Sequence, residues 1–177
     1  MELRKNLLSA LLLAVGYILH QIVPGMVLGM KPDFMLSLMF VVLILNFNFK
    51  NALVTGVMAG IMTSLTTTFP GGQIPNFIDK VITAIVIFGI LKTLQEKKNS
   101  NIGIAIVSFL GTIVSGTIFL YSAMILVGLP APFKVLFISV VVPASIINVF
   151  VTFFFVKIVS TTLKASNLNK YFDLKGN

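Results

Sequence analysis

Cysteine and tryptophan are absent from this 177-residue chain, histidine occurs once and acidic side chains number only five. Without cysteine there is no disulfide and no thiolate metal site, though nothing follows about redox compartment. One histidine cannot assemble a metal centre. Charged residues make up 10% of the chain, against roughly 25% in soluble domains, so water is not the solvent for most of it. No G-x-x-x-x-G-K-[ST] phosphate loop occurs, which excludes ATP hydrolysis through that motif. No Ser-His-Asp set, H-E-x-x-H motif or close carboxylate pair within the apolar runs supports an enzyme. The second half does not visibly repeat the first, so the inverted-repeat design of many secondary transporters is not apparent.

What the chain has instead is long apolar runs. Hydrophobic residues make up 57% of it, and the mean hydropathy is +1.04. A membrane-crossing helix needs about 20 mainly apolar residues, which leaves room for roughly six or seven spans and no separate soluble domain. The runs predict spans near Leu7 to Val23, Phe34 to Phe47, Ala52 to Leu65, Phe77 to Leu94, Ile102 to Val127 and Phe133 to Val159. The opening "MELRKNLLSALLLAVGYILH" has the basic start of a signal peptide, but its apolar part is longer and no small-residue cleavage site follows. It reads as a retained first span. The expectation is an all-α, six-span membrane domain over 1–164 and a cytoplasmic tail over 165–177. Pro143 inside span six removes a backbone donor, which predicts a kink.

The net charge of +8 points less to nucleic acid than to cytoplasmic flanks of a polytopic protein. With six spans, ten basic residues fall on the side of the termini: Arg4, Lys5, Lys50, Lys92, Lys97, Lys98, Lys157, Lys164, Lys170 and Lys175. Three fall opposite: Lys31, Lys80 and Lys134. The positive-inside bias then sets both termini in the cytoplasm. The connections "MVLGMKPDF", "TTTFPGGQIPNFIDK" and "VGLPAPF" face outward, while "NFNFKN" and "KTLQEKKNSN" read as plain inner turns.

The outward connections are unusually polar. Lys31 and Asp33 flank Pro32, while Gln73, Asn76, Asp79 and Lys80 surround Pro75. Charges at membrane depth are costly and usually face a cavity or a partner. Two Asp and two Lys suit a zwitterion, with an ammonium on a carboxylate and a carboxylate on Lys or helix-start N–H groups. A second role is open for the same residues: Asn76 with Asp79 resembles a capping box, and Pro32 with Asp33 suits a helix start. Pro70, Gly71 and Gly72 permit a tight turn with backbone exposed to a ligand. His20 reads as an interfacial residue, and Thr66, Thr67 and Thr68 as bonding back to their own helix. Asn148, deep in span six, either bonds a neighbouring helix or touches a ligand. Phe69 and Tyr121 could stack on an aromatic ligand. On span one, Ala10 and Ala14 lie four apart with Ser9 and Gly16 nearby, a spacing that lets another helix approach, from a partner or from the same bundle.

Together, "GMKPDFMLSLMF", "TTTFPGGQIPNFIDK", "VGLPAPF" and "VVPASIIN" resemble the tryptophan-transport protein family (TrpP-like), which is assigned to the substrate-binding S components of energy-coupling factor (ECF) transporters. The likeness runs from the first span to about Val159. It implies a six-helix fold with the ligand near the outer face, beneath the connections after the first, third and fifth spans. It implies docking through an A-x-x-x-A pattern, matched by Ala10 and Ala14, onto a membrane T component that joins two ATPases. The missing phosphate loop is then expected, and no cofactor is implied. For tryptophan, Asp33 or Asp79 would neutralise the ammonium, and Lys31 or helix-start N–H groups would meet the carboxylate. Phe69 and Tyr121 would flank the ring, and Asn148 or Gln73 would accept from the indole N–H. The alternatives are a stand-alone secondary amino-acid carrier and a membrane assembly or sensor subunit that moves no solute.

Overall fold

The computed structural model describes residues 2–25, 30–168 and Phe172. Part of the first expected outer connection (26–29) and most of the expected tail beyond 168 lie outside those residues.

The described residues form six main helices: α1 (Glu2–Ile22), α2 (Phe34–Leu45), α3 (Phe49–Leu65), α4 (Gln73–Leu94), α5 (Asn101–Leu126) and α6 (Phe133–Ala165). A short 3₁₀ turn, Gln95–Asn99, joins α4 to α5. Four of the six, α1, α4, α5 and α6, are long and apolar enough to cross a membrane. The two shorter ones coincide with the expected second and third spans. Helix α2 has 12 residues and so rises only about 18 Å at 1.5 Å per residue, against a hydrocarbon core of ~30 Å.

The sequence of α2, "FMLSLMFVVLIL", is apolar on every side apart from Ser37. A helix hydrophobic all round has no face for water and belongs at the centre. Met35 through Leu45 are all buried, and α2 packs against each of the other five helices. Around it the helices follow in the order α1, α3, α4, α5, α6, each packed on the next. Helices α1 and α6 flank an apolar groove lined by Leu19, Phe34, Phe150, Val151, Phe154 and Phe155.

The closest pair is α3 with α4, and small residues allow it. Gly56 and Gly60 face α4 one turn apart. A Cβ on Gly56 would lie 2.7 Å from Ala84 Cβ and 3.1 Å from the Lys80 carbonyl, and one on Gly60 would lie 3.0 Å from the Phe77 ring. This Gly-x-x-x-Gly spacing lets two backbones approach closely where burial of apolar surface from water is not the driving force. Of the small residues on α1, Gly16 faces inward onto Met35 and Ser9 is buried beside Asn51, whereas Ala10 and Ala14 are exposed.

Two local expectations are revised. The expected break at Pro143 takes the form of a π-helical segment, Phe137–Val141, just before it. There the Val142 N–H donates to the Phe137 carbonyl. Proline supplies no N–H and its ring crowds the carbonyl four residues back, and widening the preceding turn accommodates both. The two turns expected to face inward are not plain either: Phe47 stacks on Phe88 at 4.7 Å, and the Lys98 ammonium lies 4.2 Å over the Phe47 ring. Gly56→Val should lower stability by about 1–3 kcal/mol through overpacking against backbone that cannot retreat. Gly89→Ala, with nothing within 4 Å, should be neutral or stabilising; thermal unfolding in detergent of both variants checks the contrast.

Candidate functional site

The connections α1–α2, α3–α4 and α5–α6 lie at one end of the bundle, and a pocket opens beneath them between α1, α2, α4, α5 and α6. The space open to the centre of a water molecule is about 90 Å³, several times the ~10–15 Å³ that one water needs. One wall is charged and the other apolar.

The charged wall centres on Lys80, on the first turns of α4. Its ammonium, fully buried, pairs with Asp79 beside it and with Asp33 Oδ2 at 2.7 Å. Asp79 is held by three donors: besides Lys80 it accepts from Thr83 Oγ1 at 2.9 Å and from Ser115 Oγ at 2.9 Å. Asp33 holds a different position. Its Oδ1 caps α2 by accepting from the Leu36 N–H at 3.0 Å, and His20 Nε2 lies 3.9 Å away. The Asp33 side chain keeps 19% of its surface exposed, the Asp79 side chain 2%. Both carboxylates line the pocket and both hold Lys80, and Asp33 is the more accessible of the two. Burial pushes the Asp33 carboxyl up, but the Lys80 ammonium, and after it His20 and the bonds it accepts, outweigh burial and hold it below its usual value.

Lys31 stands apart from this triad. Its ammonium donates to the carbonyls of His20, Val23 (3.1 Å) and Thr66 (3.3 Å), at the ends of α1 and α3. Burial lowers its pKa, with Asp33 opposing. Lys80 is shared between the two carboxylates, and Lys31 lines the same pocket. His20 is fixed by Thr66, whose Oγ1 lies 2.7 Å from Nδ1.

The apolar wall comes from Met30, Leu36, Phe69, Gly116, Phe119, Val140, Val141 and Ala144. Phe69 meets Phe119 edge to face at 5.4 Å and 82°, a favoured geometry for aromatic pairs. Between the two walls Asn148 reaches in from α6, with its Nδ2 donating to Thr112 Oγ1 at 3.1 Å.

Of the residues singled out from sequence, Lys31, Asp33, Phe69, Asn76, Asp79 and Asn148 line this pocket, and Gly71, Gly72, Gln73 and Tyr121 do not. Tyr121 is 57% exposed. Gln73 is exposed and contributes a backbone carbonyl to Ser64. Gly71 serves the turn: its φ is +70°, and a Cβ there would strike Val127. Gly72 caps α4 without a side-chain bond, so Asn76 and Asp79 form no capping box; the Asn76 amide instead donates to the Gly72 carbonyl at 2.8 Å. His20, read from sequence as interfacial, is buried and lines the pocket. Lys80, which the sequence placed in the polar constellation without a role of its own, lines the pocket, whereas Thr112, Ser115 and Phe119 were missed. A lysine directly after Asp79 and opposite Asp33 was the available signal for Lys80; for Phe119 there was none among 16 phenylalanines.

Comparison with known proteins gives a consistent picture. The family model described as "Tryptophan transporter TrpP" matches residues 2–164. The chain is 49% identical over 151 residues to a "Probable tryptophan transport protein" of Clostridium acetobutylicum, covering 85% of this chain and 88% of that one. It is 46% identical over 170 residues to a protein of the same description from Clostridium perfringens (91% and 93% covered). A third of that description, from Bacillus subtilis, is 40% identical over 167 residues (94% and 96% covered). No solved structure matches.

Removing Lys80 would leave two carboxylates buried side by side. Lys80→Met should cost about 3–5 kcal/mol of stability, as breaking a buried pair does, and Asp79→Asn added to it should restore part; chemical denaturation in detergent checks both. Asp33, with its pKa lowered on folding, contributes stability that is complete above the ordinary carboxylate value of about 3.9 and is lost as pH falls through its lower native value. Unfolding midpoints of wild type and Asp33→Asn should therefore converge only in strong acid.

Proposed function

The chain belongs to the TrpP tryptophan transporter family, and on that premise we propose that it captures tryptophan for uptake as the substrate-binding S component of an ECF-type transporter. The observation that carries this reading is the match between the pocket and a zwitterion with an aromatic side chain. The Asp33 carboxylate suits an ammonium, the Lys31 charge suits a carboxylate, and the wall of Phe69 and Phe119 suits a ring. Asp33 takes the ammonium, because it keeps exposed surface while Asp79 is held by three donors. Lys31 exchanges one of its carbonyl partners for the ligand carboxylate.

In this reading all six helices cross the membrane with both termini in the cytoplasm, and the pocket opens outward. The short α2 fits that placement: shielded from lipid by five neighbours, it crosses inside the bundle without matching the hydrocarbon thickness, and its N-terminus forms the floor of a sunken site. Ala10 and Ala14, exposed on α1, would meet a T component that couples the chain to two ATPases.

Asp33→Asn keeps a good helix cap but removes the charge, and should weaken tryptophan binding roughly ten- to hundredfold with little loss of fold. Uptake into vesicles should need the T component and ATP. Unchanged binding in Asp33→Asn would remove the ammonium assignment, and uptake by the chain alone on an ion gradient would make it a secondary carrier.

A further inference from the structure

Asn148 carries a buried acceptor that its own protein leaves unused. The residue is completely buried and lines the pocket. Its amide orientation is fixed by a short relay. Thr112 Oγ1 donates its proton to the Ser108 carbonyl at 2.7 Å, so toward Asn148 that oxygen can only accept. It accepts from Asn148 Nδ2 at 3.1 Å. The amide therefore cannot turn over without losing this bond, and Oδ1 is held on the other side, where no donor among the described residues reaches it.

A buried carbonyl oxygen without a donor is costly, and a ligand that brings the missing N–H recovers that cost while one that lacks it does not. The pocket that Asn148 lines has an apolar wall of Phe69, Phe119, Val140 and Val141, with Val141 packed directly against Gly116. Such a space asks for a ring with a donor on its edge.

We propose that Asn148 Oδ1, oriented by Thr112, accepts the ligand's ring N–H and makes the pocket select indole amino acids over ring-sized analogues without that proton. This rests on the tryptophan-binding reading above and adds the residue that sets its specificity. Ring size alone discriminates poorly in an apolar slot, whereas a site built around a hydrogen bond rejects the analogue lacking it strongly.

The test compares tryptophan with 3-benzothienylalanine, in which sulfur replaces the ring N–H at nearly the same shape. Both are measured by displacement of radiolabelled tryptophan from the purified full chain. Wild type should prefer tryptophan by roughly ten- to hundredfold. In Asn148→Leu that ratio should fall toward one, mainly through weaker tryptophan binding. Thr112→Val, which frees the amide to rotate, should reduce the ratio by several-fold and serves where Asn148→Leu fails to fold. A wild-type ratio near one overturns the proposal, as it would if a water or the Thr152 hydroxyl already satisfied Oδ1. A large ratio unchanged in both variants overturns it too, by placing the acceptor elsewhere. No tryptophan binding by wild type would overturn the binding reading itself, a result distinct from bound tryptophan with no preference.

Discussion

The pocket depends on one ammonium held between two carboxylates. Lys80 is almost completely buried, and a charge in such surroundings is tolerated only when it is paired and hydrogen-bonded. Asp79, on the same helix, supplies a partner that is itself held by Thr83 and Ser115. Asp33 supplies the second from the start of α2. The triad thus ties α4 to α2 and, through Ser115, to α5. An interaction that serves only stability would be better made of packed apolar side chains. Retaining charges here, at the rim of a cavity, fits the proposed site for a charged solute.

The rest of the bundle places that triad. The close approach of α3 to α4 at Gly56 and Gly60 sets Gly56 against the Lys80 backbone, so the packing that fixes the helix pair also fixes the lysine. The short α2, apolar but for Ser37, fills the centre and presents its capped N-terminus, with Asp33, toward the pocket. The π segment ahead of Pro143 brings Val140 and Val141, adjacent in sequence, onto the same wall. Such segments interrupt helices most often at functional sites.

Much of this was legible in the sequence because membrane insertion restricts where polar residues can go. Lys31, Asp33, Asn76 and Asp79 stood out as charges and amides between apolar runs, and Asn148 as an amide inside one. What composition could not supply is which helix ends meet. His20 lies at the end of α1, and only the folding of α1 beside α3 brings it to Thr66 and Asp33. Tyr121 and Gln73 carry suitable chemistry on helices whose relevant faces point elsewhere, and a one-dimensional reading does not resolve rotation about a helix axis. The Gly56-x-x-x-Gly60 spacing was present in the letters as plainly as Ala10 and Ala14, yet small-residue pairs do not say whether they pack inside the bundle or face outward. Here the first pair packs inside and the second is exposed.

The central claim, that a tryptophan zwitterion sits between the Lys80 triad and the Phe69–Phe119 wall, can be read directly from the ligand. The chain has no tryptophan and only three tyrosines, so the ligand's own indole emission can be followed as tryptophan is titrated into the purified protein. A tryptophan held against that wall should emit at shorter wavelength than in water, in a change that saturates at one ligand per chain. Emission that stays at its aqueous position at every ratio would contradict the account.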